Sequence, residues 1–456
     1  MNYFRAWKQW RREKHRLPVI ARDRRKPDPT LMARRQSKAP HYRSRQAFRS
    51  VGMGLITGAA DDDPAAIGTY SAAGAALGPG ILWSALWILP LTFTVVYLAS
   101  KVGQVTGQGL FEVIRLRYSR RVLFALLLAA ALGNLIEAGA DLGGIAAGIH
   151  LLWPVKLSVL AFGVGAAVLI LQIQGYAILR NIFRVITLSL LAYIGSGWLA
   201  RPDWRMALAA TLLPHLKFNR EFFSLLVAII GSNLSAYLLT WQSNQDVEED
   251  IRMGRRRLSD RAGTTAGELR RARYDIALGV FFSDLVMYFI LLAAASTLFQ
   301  AGAYRIQSAA QAARALQPLA GPAAGWLFAA GMIGAGFLAL PVMTIGAAFD
   351  ICQSLGWKHG LRAKPRDAPA FYIIATLITL AEIAMNLLGL NPMHALVYAG
   401  IVQGISTPFL MLAVLRITQD PQTMGPWVNT RAMNLMGWIT ILVMFGAALG
   451  LLISFL

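Results

Sequence analysis

The feature that most constrains this chain is a succession of apolar runs, each about twenty residues or longer, with few charges or none. Val122 to Leu152, Phe371 to Leu390 and Ile439 to Leu456 are examples. A helix rises about 1.5 Å per residue, so roughly 20 residues cross a hydrocarbon layer of ~30 Å. From Val51 onward the sequence reads as about eleven such segments, near 51–76, 81–100, 121–150, 157–178, 181–200, 222–245, 275–299, 322–355, 370–390, 394–416 and 434–456. Gly78, Pro79 and Gly80 mark the tightest turn between them. Only 15% of the residues are charged, against roughly a quarter in soluble chains. The expected fold class is an all-α polytopic membrane protein. A single cysteine, Cys352, excludes an intrachain disulfide, a CxxC redox site and a multi-cysteine metal site.

Charge supplies an orientation. The balance is +21, from 44 Lys and Arg against 23 Asp and Glu. Residues 1–50 hold 16 of the basic residues and only three acids, Glu13, Asp23 and Asp28. Pro27, Pro29 and Pro40 interrupt this stretch, which reads as a basic, largely disordered cytoplasmic tail ahead of a transmembrane domain at 51–456. It has no apolar core near Met1, so it is not a secretory signal. Phe4, Trp7 and Trp10 recur at helical spacing among basic residues. Two readings stay open: a helix on an anionic lipid face, or an unstructured tail. With the N-terminus inside, the inside pieces collect 37 basic residues and the outside pieces seven. The bias follows the positive-inside rule, and eleven spans then place the C-terminus outside. The charge therefore reports orientation in a bacterial-type inner (plasma) membrane and not a nucleic-acid partner.

Acids within a bilayer are costly and demand a reason. Asp61, Asp62 and Asp63, followed by Pro64, interrupt the first segment near its middle. Proline removes a backbone donor and disfavours helix at the residue before it, so the spacing predicts an unwound stretch there. In the sixth segment Gly231-Ser232-Asn233-Leu234-Ser235 sets a second weak point mid-span. Paired interruptions in corresponding segments of two halves point to a midplane binding site. Glu137 and Asp141 lie four apart in the third segment, hence on one helical face.

Gly52-x-Gly54-Leu55-Ile56-Thr57-Gly58-Ala59-Ala60-Asp61-Asp62-Asp63-Pro64-Ala65-Ala66-Ile67 resembles the first helix of the NRAMP divalent-metal transporters, which carry an Asp-Pro-Gly-Asn motif there. Val105-Thr106-Gly107-Gln108, Ala140-Asp141-Leu142 and Gly231 to Ser243 extend the resemblance over most of the chain beyond residue 50. It implies a LeuT-type fold with broken helices one and six: a first five-helix repeat at 51–200, an inverted second at 222–416, and an eleventh helix at 434–456. It also implies alternating access, with a divalent ion as cargo and no cofactor. The implied ligands are Asp63 and the carbonyls of Ala60 and Ser232. The family's Asn position falls on Ala66, its Met on Ser235, and the Pro-His that follows on Ala236-Tyr237.

These departures remove an amide oxygen and a thioether. Thioether suits softer ions, whereas carboxylate, hydroxyl, carbonyl and water suit hard ones, and Mg²⁺ keeps much of its water. The sequence is closest to an NRAMP-related branch that includes magnesium transporters, with Mn²⁺ an alternative. Asp61, Asp62 and Glu137 are expected to shape a negative, hydrated site around Asp63, with Ser235 offering a hydroxyl. Asp141, Gln403 and Tyr237 are candidate proton-path or gate residues. Neighbouring carboxylates favour a shared proton, yet the family's sixth-helix His is absent. Asp284, Asp350 and Glu382 read as structural or gating residues, Asp350 as solvated near a cytoplasmic end, and Gln245 to Asp250 as a solvated extension of the sixth segment. The six His residues lie in the tail or near span ends. Two rivals remain: a LeuT-type symporter for an organic cationic or amino-acid solute, and a membrane metal sensor or scaffold. No enzyme motif appears.

Overall fold

The computed structural model describes residues 61–174 and 193–455. The tail at 1–50, the first half of the first segment with Ala60, and most of the fifth segment lie outside the described residues. Eight of the described spans are long and apolar enough to cross a membrane, with Arg220–Arg252 taken as one. The order begins with α1 (Pro64–Leu77), α2 (Trp83–Thr106), α3 (Leu110–Arg117), α4 (Arg120–Leu152) and α5 (Leu157–Gln174). It continues with α6 (Trp204–Leu212), α7 (Arg220–Asn233), α8 (Ala236–Arg252) and α9 (Ala266–Ala294), and ends with α10 (Ala324–Leu355), α11 (Pro369–Leu387), α12 (Pro392–Gln419) and α13 (Arg431–Ile453). Residues 193–199 are also helical. The turn at Gly78 has φ +61°, a value that favours glycine.

Both interruptions occur where the sequence placed them. Asp62 and Asp63 are non-helical, and Pro64 opens α1 at its first position, where no amide donor is missed. Leu234 and Ser235 separate α7 from α8. The two breaks place the short helices α1 and α8 inside the bundle. α1 packs among α4, α7, α9 and α12, and α8 among α2, α3, α4, α10 and α12. In the apolar part of the α7–α8 span 89% of the residues are buried, against 28% in α11, which leaves α11 facing lipid. Close packing needs small residues where apolar attraction between helices is weak. A Cβ on Gly144 of α4 would stand 2.8 Å from the Pro64 ring, so glycine lets α4 touch the start of α1.

Pieces assigned by charge to one side meet at one end of the bundle. Arg117 pairs with Asp420 at 3.2 Å, and Arg261 Nε donates to the Gly107 carbonyl at 3.1 Å. Arg255 bridges Asp250 and Glu268 at 2.5 and 2.7 Å. The expectation of a solvated Gln245–Asp250 run is corrected here: Gln245, Glu248 and Asp250 are all buried. Asp246 accepts from Gln104 and Gln242, and Glu248 Oε1 accepts from the Leu361 amide at 3.1 Å. These acids hold the C-terminal half of α8 to its neighbours. Asp350 is likewise corrected, being wholly buried in α10.

Candidate metal site

The two breaks meet at a centre of buried polar groups. Asp63 is extended, with φ −74° and ψ 175°, and caps α1: its Oδ1 accepts from the Ala66 amide at 2.7 Å. Asp is among the strongest N-cap residues, and an anion also suits the positive end of a helix. Its Oδ2 accepts from the Tyr237 hydroxyl at 3.3 Å, which ties the first break to α8. Ser235 stands at the matching cap of α8, also extended, with φ −68° and ψ 155°. The hydroxyls of Ser232 and Ser235 are buried and have no hydrogen-bond partner among the described residues.

From α4, Asp141 and Glu137 both point into this centre. Asp141 Oδ1 accepts from the Ala65 amide at 2.8 Å, a second cap on the start of α1. Glu137 Oε2 accepts from Gln403 Nε2 at 2.6 Å. Asp63, Glu137 and Asp141 stand within electrostatic reach of one another. All three are fully buried, and no Lys, Arg or His of the described residues pairs with them. Asp61 accepts from the Ser283 hydroxyl of α9 at 3.0 Å and stays within electrostatic reach of Asp63 and Glu137. Among the described residues no three His, Cys, Asp or Glu side chains converge closely enough to hold one ion between them.

Gln403 is a bridge between helices. Its Oε1 accepts from the Ala236 amide at 3.2 Å and from Thr407, while its Nε2 donates to Glu137 and to Asn134 Oδ1. It caps α8 much as Asp141 caps α1. The sequence reading missed Asn134, although it lies one turn before Glu137 on the same face. We expect Gln403→Leu to strand the Ala236 amide and Glu137 together. A thermal melt in detergent should show a loss of about 1–3 kcal/mol per orphaned group, with slower uptake. An unchanged melt would show that Gln403 does not hold the break. Glu382 accepts from Thr344 at 2.9 Å and so braces α11 to α10. His150, His215 and His359 sit near helix ends and contact backbone carbonyls. Together with His394 they gather at no common point among the described residues.

Membrane-length helices around two back-to-back breaks, with a carboxylate cap between them, define a polytopic transporter of the broken-helix, two-repeat class. Residues 54–454 match the natural resistance-associated macrophage protein-like family, Nramp, and the chain belongs to that family. The divalent metal cation transporter MntH of Granulibacter bethesdensis is 26% identical over 449 residues, covering 94% of this chain and 95% of that one. MntH of Caldanaerobacter subterraneus subsp. tengcongensis is 23% identical over 396 residues, covering 86% and 89%. Among solved structures, the Eremococcus coleocola manganese transporter in complex with an aromatic bis-isothiourea substituted compound aligns at TM-score 0.70 and 18% identity. That alignment covers 91% of this chain and 87% of the other. Mhp1, a nucleobase-cation-symport-1 transporter in a closed conformation, aligns at TM-score 0.52 and 13% identity, covering 88% and 90%. The fold is therefore the LeuT type, and the relatives are transporters and not enzymes.

Proposed function

We propose that this protein moves a divalent cation, Mg²⁺ or Mn²⁺ with part of its water, across the membrane by alternating access, with Asp63 as principal ligand. The observation that carries the reading is the buried Asp63 carboxylate, held where the breaks of α1 and α8 meet, beside Glu137 and Asp141 and with no basic partner among the described residues. A charge in that position calls for a cation. The relatives named as divalent metal cation transporters favour a metal over an organic solute. The ligand types favour a hard ion: carboxylate, the hydroxyl of Ser235, the carbonyls of Ala60 and Ser232, and water. Ala66 has no donor atom where an Asn would offer one.

In this reading the N-terminus is cytoplasmic, the C-terminus is outside, and the basic tail lies against anionic lipid. Tyr237 stands where the family's His would stand. A phenol titrates near 10 and an imidazole near 6.5, so the position has lost its proton carrier at neutral pH. Calorimetry of the purified protein with Mg²⁺ and Mn²⁺, followed by uptake into proteoliposomes holding a pH indicator, tests all of this. Binding and uptake without acidification are expected. Acidification with metal uptake would show that transport is proton-coupled. Binding without uptake would favour a sensor, and no binding of either ion would overturn the metal reading.

A further inference from the structure

One buried acid lies outside the centre described above. Asp350 of α10 is fully buried, and neither of its oxygens has a hydrogen-bond partner among the described residues. No ion pair of the described residues reaches it. It stands beyond the electrostatic reach of Asp63, Glu137 and Asp141. The polar side chain that faces it is Thr240 of α8. The Thr240 hydroxyl donates to the Tyr237 carbonyl at 3.2 Å, and the Tyr237 hydroxyl donates to Asp63. Along α8, Asp350 is therefore the next acidic position beyond the centre.

Open space adjoins this acid. Met343, Gly346, Asp350 and Gln353 recur at three- and four-residue spacing and so share one face of α10. Met343 packs with Tyr237 and Trp241, which turns that face towards α8. Gly346 is buried, yet a Cβ on it would meet nothing within 4 Å. Gly336 of the same helix shows the contrast, since a Cβ there would fall inside contact distance of the Ile145 side chain. Close packing is the rule for protein interiors, so a gap lined by an unpaired carboxylate is a feature to explain. Three more polar atoms follow Asp350 towards the C-terminal end of α10: the Ser354 hydroxyl, Gln353 Oε1 and Asn244 Nδ2. None has a hydrogen-bond partner among the described residues, and none of these side chains belongs to a residue more than 5% exposed. That end is closed. Gln353 Nε2 donates to Asn244 Oδ1 at 2.6 Å, and a Cβ on Gly109, at the start of α3, would fall inside contact distance of both side chains.

We propose that Asp350 is a relay carboxylate on the ion's route from Asp63 to the inner end of the bundle, holding the partly hydrated divalent cation in the space between α8 and α10, with the Asn244–Gln353 pair as the plug that parts to release it. The acceptors on this route, the Asp350 carboxylate, the Ser354 hydroxyl and the Gln353 amide, are all oxygen, which suits a hard ion. One carboxylate is enough for an ion that keeps most of its water, and the Asn244 amide can donate to that water. A single acid also holds the ion more weakly than the centre with its several acids. A relay has to bind well enough to draw the ion in and weakly enough to let it leave. The proposal rests on the divalent-cation reading above and adds the path by which the ion departs.

Mn²⁺ calorimetry and Mn²⁺ uptake into proteoliposomes, both on the full-length protein, test it. Asp350→Asn should bind Mn²⁺ as the wild type does yet take it up about 10–100-fold more slowly, the rate equivalent of one lost contact to a charged group. Asp350→Glu should restore most of the uptake. Gly346→Leu, which fills the open space, should slow uptake and leave binding in place. A thiol placed by Gly346→Cys in a Cys352→Ser background should react with a small charged methanethiosulfonate, and Mn²⁺ should slow that reaction. The thiol decides the matter if Asp350→Asn fails to fold. Wild-type uptake by Asp350→Asn, or a thiol that does not react, would mean a dry gap beside a protonated carboxyl and would overturn the relay while sparing the transport reading. Loss of binding together with uptake in a folded Asp350→Asn would also overturn it, by making Asp350 part of the main site. A wild type that neither binds nor takes up Mn²⁺ or Mg²⁺ would overturn the divalent-cation reading, and the relay with it.

Discussion

Asp63→Asn should abolish metal binding and uptake while leaving the fold intact. Asp63 does two things: its Oδ1 caps α1 through the Ala66 amide, and its charge faces the centre where α1 and α8 meet. Asn caps a helix about as well as Asp, so the substitution removes the charge and keeps the cap. Truncating one partner of a buried charged contact costs about 2–5 kcal/mol, roughly 30- to 5,000-fold in affinity. Asp63→Ala should lose the cap as well, about 1 kcal/mol of stability, visible as a lower melting temperature. Calorimetry and proteoliposome uptake read the first effect, and a thermal melt reads the second. Wild-type uptake by Asp63→Asn would show that the ion is held elsewhere.

The largest effect on the fold is expected at Gly231. A Cβ there would fall inside contact distance of the Gly400 carbonyl and the Gly404 amide of α12. Those are backbone atoms, so no side chain can swing aside and the helices must separate. Overpacking costs typically 1–3 kcal/mol where side chains can adjust, and more is expected here. Gly231→Ala should therefore lower the melting temperature sharply or prevent recovery of folded protein, and should also shift the break that α7 carries. Gly446→Ala is the control. A Cβ on Gly446 of α13 meets nothing within 4 Å, and alanine favours helix by about 1 kcal/mol. That variant should melt at or above the wild-type temperature. If both variants melt alike, the close contact between α7 and α12 is not a constraint.

Much of this architecture follows from local chemistry and so was legible. Apolar length set the spans, Pro64 set the start of α1, and small polar residues set the break at Leu234-Ser235. Glu137 and Asp141 share a face because of helical spacing alone, and both reach the centre. The run from Gln245 to Asp250 was misread because charge usually marks a solvated surface. Here Asp246 and Glu248 find donors on other elements, Gln104 and the Leu361 amide, far away in sequence. Gln403 read equally well as a ligand, a gate or a bridge, because an amide serves all three roles. Its partners Ala236 and Glu137 lie 167 and 266 residues away and decide that it bridges.

The sequence by itself determined that the chain spans a membrane, that two of its helices break, and that acids sit at the first break. Each depends only on neighbouring residues: apolar run length, proline, and the cost of charge in hydrocarbon. Only the tertiary structure decided which partners those acids meet. Asp61 turns to Ser283, 222 residues away, and Asp63 to Tyr237, 174 residues away. What each acid at the break meets is set by which helices pack around it.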